Sequence, residues 1–373
     1  METRRIDKLG LSVSHLGMGC MRLPTAGDKI DYPAAEKLID MLMEGGVNFY
    51  DTAYMYHGGE SQAFLKKALV DRYPRDRYVV ATKLPLWQRE SREECEKIFE
   101  EQRQALGLSC IDLYHLHGIG EGSWNKAKEL GAHDMQKRLK AEGKIKYIGF
   151  SFHDKAEALP RILDEGEWDF VQIQLNYNDW YRQDARKLYE EIAKRGIAMI
   201  AMEPVRGGGL AAPHPDVADV FKKADPSRSV ASWALRWCQS LPDLTIVLSG
   251  MSNAEQVSEN LALFSVPQPL NDAEQQVVTE ACKALETLPI IPCTDCKYCD
   301  GCPQEIPIPR LFGGYNQHLR FGRDWFFPGG YKNLPPEKQA SACIACGACE
   351  AKCPQKIEII KNLKMAHDKA MSL

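Results

Sequence analysis

The chain has 373 residues, a formal net charge of −4 and 13 cysteines, eight of which fall in the last 81 positions. Hydrophobic residues at 44% and charged residues at 26% are the proportions of a globular protein with a large core. This balance gives no electrostatic footprint for nucleic acid or an anionic membrane, and no apolar leader or run near about eighteen residues points to secretion or a membrane span.

From residue 1 to about 270, short apolar runs alternate with amphipathic stretches. A hairpin over 4–13, turning at Leu9-Gly10, leads into the apolar run 16–20. A helix is expected over 33–44, stopped by Gly45-Gly46, then a strand over 47–53 and a helix over 61–70. Next come a strand over 78–84, a helix opened by Ser91 and Glu94 as a capping box, and a strand over 111–117. The following helix ends near Gly143, and the strand 146–151 precedes a helix over 155–165. Strand 170–176 and helix 185–195, then strand 197–203 and helix 227–239, then strand 244–249 and helix 254–264 complete the series. Eight strand–helix units of about thirty residues fit a closed (β/α)₈ barrel, with an open doubly wound α/β sheet as the alternative. An extra helix over 272–288 closes a barrel domain of residues 1–288, and Pro289 to Pro292 read as a stiff linker into a tail of residues 289–373.

The tail holds two four-cysteine runs: Cys293, Cys296, Cys299 and Cys302, then Cys343, Cys346, Cys349 and Cys353, each run followed by proline. The second repeats the first at an offset of 50 residues, or 51 for the last member. A cytoplasmic chain keeps its thiols reduced, so such a tail reads as a metal site rather than as disulfides. Three thiolates spaced by two residues can wrap a cubane corner, while the proline-linked cysteine reaches across to the other cluster. Two [4Fe–4S] clusters are expected, one on Cys293, Cys296, Cys299 and Cys353, the other on Cys343, Cys346, Cys349 and Cys302. Paired CxxC spacings also build zinc ribbons, the competing reading. The tail resembles a bacterial two-cluster ferredoxin; its second run matches that pattern fully, and its first departs by one residue before Cys302. The aromatics between the runs, Phe312, Tyr315, Phe321, Trp325, Phe326, Phe327 and Tyr331, read as the core of a small domain, and Cys20, Cys95, Cys110, Cys238 and Cys282 as small buried hydrophobes.

In the barrel half, Asp51 and Tyr56 follow the second strand, Lys83 ends the third and His117 ends the fourth. Strands about 4.8 Å apart allow these side chains to converge. A phenol, with a pKa of about 10, is a poor acid at neutral pH. A neighbouring lysine would lower that value, an aspartate would hold the lysine charged, and a histidine would orient a carbonyl oxygen. His115, two residues earlier on the same strand face, reads as a hydrogen-bonded core histidine, with a relay of orientation to these four residues as the alternative.

The order Asp51-Thr52-Ala53, Tyr56, Glu60, then Thr82-Lys83, then Asp112-Leu113-Tyr114 and His117 resembles the aldo-keto reductase family over nearly all of residues 1–270, and the whole chain resembles its iron–sulfur branch. That resemblance implies Tyr56 as general acid/base with Asp51, Lys83 and His117, NAD(H) or NADP(H) as cofactor, and a small carbonyl or alcohol substrate. It places Ser151 and Gln172 at the nicotinamide carboxamide, with Phe152 where the family has asparagine and Met202 where an aromatic stacks on the ring. It places Glu259 and Asn260 at the adenine. The glycines of the loop Arg206, Gly207 and Gly208 would let backbone N–H groups approach a pyrophosphate, with a plain flexible turn as the alternative. The family's 2′-phosphate cations align with Gly250 and Gln256, so NADH is expected to bind at least as well as NADPH. Hydride moves two electrons and a cluster moves one. The rival readings are therefore a reductase fed by ferredoxin or another electron carrier, with a flavin for which no motif is evident, or a redox-sensing module with an inert barrel.

Overall fold

The computed structural model describes residues 1–87, 89–293, 295–322 and 324–373. Eight strands carry the alternating pattern: Leu16–Gly19 (β1), Phe49–Asp51 (β2), Val79–Pro85 (β3), Ile111–Ile119 (β4), Ile145–Phe152 (β5), Phe170–Gln174 (β6), Ala198–Met202 (β7) and Leu244–Ser249 (β8). They pair in parallel, β8 beside β1 and β5 beside β6, so the sheet closes into a barrel and the open-sheet alternative is removed. Parallel strands must be covered on both faces, and every residue of β3 is buried. The hairpin of Thr3–Ile6 and Leu11–Ser14 precedes the barrel.

The chain divides into two compact units, Met1–Gly207 with Ser232–Gln275 and Gly208–Ala231 with Gln276–Leu373. In the first, Phe49, Leu113, Phe170, Ile200 and Ile246 form one buried cluster. Each such side chain contributes about 1.5–3 kcal/mol on burial. Helix Tyr32–Glu44 is capped by Asp31, and Arg92–Leu106 by Ser91, whose hydroxyl accepts from the Glu94 N–H. The reciprocal half of the expected capping box is absent, because the Glu94 carboxylate accepts from Glu90 N instead.

Several helices differ from the sequence reading for local reasons. The one ending near Gly143 is two, Glu121–Glu129 and Ala132–Ala141, divided where Gly131 takes φ 63°. The expected 61–70 helix is α-helical only over Glu60–Leu65 and widens into a π turn over Lys66–Val70. Short helices Tyr177–Arg182 and Pro215–Ala224 occupy stretches between the expected elements, the second with Val217 and Phe221 buried one turn apart.

The second unit repeats itself as its cysteines do. Helices Ile308–Phe321 and Ile359–Ser372 follow the two cysteine runs at matching positions and pack together. Asp295 and Ala345 both take left-handed backbone, as do Lys297 and Gly347, and Glu305 and Lys356. Residues with side chains adopt that conformation rarely, so its recurrence at the same offsets marks two copies of one loop. Phe312, Phe326, Phe327 and Tyr331 are buried in this unit's core, whereas Trp325 is 79% exposed. Asn316 pins the linker, accepting from the Ile291 N–H at 2.9 Å and donating to its carbonyl at 2.7 Å.

Candidate active site and cluster segment

Asp51 ends β2, and Tyr56 begins a short 3₁₀ turn after it in which His57 takes φ 53°. Parallel register sets Asp51 beside Ala81 and Lys83 beside His115, so Lys83 rises two residues above Ala81 on the same face. Lys83 Nζ donates to Asp51 Oδ2 at 2.6 Å and to the Thr52 carbonyl at 2.8 Å, and it lies 4.9 Å from the centre of the Tyr56 ring. The Tyr56 and His117 rings stand edge to face with centroids 6.3 Å apart. The four expected residues thus converge at the strands' C-terminal ends, where barrels of this kind hold their reactive groups.

The electrostatics follow from burial. Burial disfavours the charge on Lys83, but Asp51 and Tyr56 override it and hold the ammonium above its ordinary range. Burial likewise raises the Asp51 carboxyl, with Lys83 opposing. His117 is pushed down to about 3, by burial first and then by Lys83 and His153, so its imidazole is neutral. Tyr56 corrects the sequence reading: its pKa lies above 10, because burial outweighs the Lys83 cation that lowers it. The phenol is therefore held protonated, a proton donor rather than a ready phenolate.

His115 also departs from expectation. It is fully buried, with neither ring nitrogen hydrogen-bonded among the described residues, and its ring lies 4.5 Å from that of Phe170. Phe170 reaches that place because Gly149 lies between them in the register; a Cβ there would fall 2.3 Å from the Phe170 carbonyl oxygen. Burial, Lys83 and His117 hold His115 well below its ordinary range, so it too is neutral. Trp87 was not anticipated: it packs against His117 with ring centroids 4.9 Å apart and is 37% exposed at the mouth of the site. An aromatic just past a barrel strand's C-terminal end was the available signal.

Around this centre, Gln172 is buried, its Nε2 3.6 Å from the Met202 sulfur and its Oε1 without a partner among the described residues. An orphaned buried acceptor is what a carboxamide N–H₂ would satisfy, so the residues fit a nicotinamide. Ser151 Oγ accepts from Gly118 N at 2.9 Å, and Asn260 Nδ2 donates to Ser249 Oγ at 3.0 Å. Gln256 is occupied locally, accepting from Ser252 N, and Glu259 is exposed. Arg206 is turned inward onto buried Asp179 at 3.0 Å, which leaves the glycine backbone of its loop, rather than its guanidinium, to approach a pyrophosphate. Gly207 and Gly208 have φ 64° and 98°, and Gly250 is half-buried after β8.

In the second unit, Cys293, Cys296, Cys299 and Cys353 line one cavity whose other walls include Ile308 and Phe312. Among the described residues, no three His, Cys, Asp or Glu gather around a single-ion position. A four-iron cube takes one thiolate per iron, so a void ringed by spread thiols fits it. Cys343 and Cys349 pack on the same core as Cys302, and Cys346 is exposed. Of the cysteines read as buried hydrophobes, Cys20, Cys95, Cys238 and Cys282 are buried, and Cys110 is half-exposed.

Comparison with known proteins agrees with both halves. Residues 15–282 match the model of the aldo/keto reductase family, and residues 292–358 that of the 4Fe-4S dicluster domain. An L-galactose dehydrogenase of Arabidopsis thaliana is 27% identical, covering 77% of this chain and 95% of its own length. An NADH-specific methylglyoxal reductase of Escherichia coli (strain K12) is 25% identical over 74% of this chain and 97% of its own. Among solved structures, the holo form of aldo-keto reductase AKR11C1 from Bacillus halodurans superposes with a TM-score of 0.63 at 26% identity, covering 76% of this chain and 97% of that one. The chain belongs to the aldo/keto reductase family, with a 4Fe-4S dicluster domain following its barrel.

Proposed function

We propose that the barrel moves hydride between NAD(P)H and a small aldehyde or ketone, with Tyr56 exchanging the proton at the carbonyl oxygen. The observation that carries this reading is the buried Lys83 cation, fixed by Asp51 at 2.6 Å and lying against the Tyr56 ring. A nicotinamide, when bound, supplies the hydride. Tyr56 donates its proton to the oxygen as charge develops there, and Lys83 stabilises the phenolate left behind. Asp51 keeps Lys83 charged and in place, and the neutral His117 imidazole offers an N–H to the same oxygen. Gln172 and Ser151 would hold the carboxamide. The relatives include a dehydrogenase named for L-galactose and a reductase named for methylglyoxal, which favours a small polar carbonyl or alcohol as substrate, and the latter is named NADH-specific.

In the second unit we assign one [4Fe–4S] cluster to Cys293, Cys296, Cys299 and Cys353, supported by the cavity they line, and the other to Cys343, Cys346, Cys349 and Cys302. One-electron centres point to ferredoxin or another electron carrier as partner. Anaerobically purified protein, mixed rapidly with NADH and a panel of small carbonyls, tests the whole reading. NADH consumption with stoichiometric alcohol is expected; consumption of neither, with clusters reduced only by an added ferredoxin, would favour the electron-transfer reading instead.

A further inference from the structure

Arg22 follows β1 in the loop opened by Cys20 and Met21, and its side chain is laid across two glycines on other loops. After β8, a Cβ on Gly250 would lie 3.3 Å from both Cβ and Cδ of Arg22. After β7, a Cβ on Gly207 would lie 3.0 Å from Arg22 Nη2, with Glu203 Oε1 at 3.9 Å. The stem therefore covers Gly250 and the guanidinium stands over the bare backbone of Gly207. Among the described residues Arg22 forms no ion pair, whereas Arg206 on the same loop is committed to Asp179.

The absence of a side chain at Gly250 lets the Arg22 stem lie over it, since a Cβ at 3.3 Å would make that stem give by a few tenths of an ångström. A planar guanidinium with no ion pair among the described residues, above a glycine that exposes its backbone, is suited to phosphate oxygens.

We infer that Arg22 binds the pyrophosphate of the dinucleotide, bringing a positive charge from the first strand's loop over the backbone of Gly207; the inference rests on the nucleotide reading above. The pyrophosphate is common to NADH and NADPH, so Arg22 strengthens both without choosing between them.

Dissociation constants of the full-length protein for NADH and NADPH, by calorimetry at low and high salt, test this in wild type, Arg22→Gln and Arg22→Lys. Loss of a charged phosphate contact should weaken Arg22→Gln by about tenfold or more, equally for the two dinucleotides, and flatten the salt dependence. Arg22→Lys should recover part of the loss. Unchanged affinities would overturn the assignment, and a loss confined to NADPH would place Arg22 at the 2′-phosphate instead. Wild-type protein that binds neither dinucleotide would overturn the nucleotide reading and this inference with it.

Discussion

Lys83 and Asp51 face each other at 2.6 Å with side chains only 1% and 4% exposed, an ion pair sealed inside the barrel rather than resting at its rim. Removing one partner strands the other charge away from water, a loss of about 3–5 kcal/mol. Asp51→Ala should therefore lower the midpoint of denaturant unfolding as well as turnover. Lys83→Met with Asp51→Leu should recover stability but not turnover. Recovery of turnover in the double variant would show that the pair serves the fold alone.

The raised Tyr56 and lowered His117 values set the pH dependence. Carbonyl reduction needs Tyr56 protonated and His117 neutral, so its rate should show no titration by either group between about pH 5 and pH 9. Alcohol oxidation needs the phenolate and should rise with pH across the same range. A bell-shaped reduction profile centred near neutrality, measured as kcat/KM, would assign the proton to a different group.

Buried neutral histidines should make the barrel unit acid-sensitive. His117 titrates near 3 and His15 near 4 in the folded state, below the ordinary 6.5, and His115 lies well below it. As pH falls below 6.5 the unfolded chain takes up protons that the folded chain refuses, so stability falls until the folded values are reached. The slope is at most about 1.4 kcal/mol per pH unit for each histidine. Because His115 has no hydrogen bond to lose, His115→Leu should leave stability at pH 7 unchanged or higher and make the acid slope shallower. Tryptophan fluorescence in urea reads this out, since six of the seven tryptophans lie before residue 275. A loss of several kcal/mol at pH 7 would show that His115 is hydrogen-bonded after all.

The eight strands and the convergence of Asp51, Tyr56, Lys83 and His117 were legible because both depend on spacing along the chain. The cysteine runs were legible for the same reason, and the left-handed pairs such as Asp295 and Ala345 are the backbone counterpart of that repeat. The direction of the Tyr56 shift was not legible, because it depends on how much water the closed site excludes. His115 was misread because its lack of a partner is fixed by Phe170 crossing over Gly149, a contact between strands distant in sequence. The glycines after Arg206 were legible as a loop, but the pairing of Arg206 with Asp179 is likewise a tertiary fact.

The crossing of cysteine ligands can be read by counting iron. If Cys293 and Cys353 serve one cluster, the Cys293→Ser/Cys353→Ser variant should keep about four irons per chain, whereas Cys343→Ser/Cys353→Ser should lose both clusters. The opposite ranking by iron analysis would mean that Cys353 stays with its own run.

The central claim is that Tyr56 passes the proton. Full-length Tyr56→Phe removes one hydroxyl and leaves Gln172, Ser151 and Arg22 untouched. NADH affinity should stay within about twofold of wild type, while single-turnover reduction of a carbonyl substrate falls by about a hundredfold or more. Undiminished single-turnover reduction by Tyr56→Phe would contradict the account.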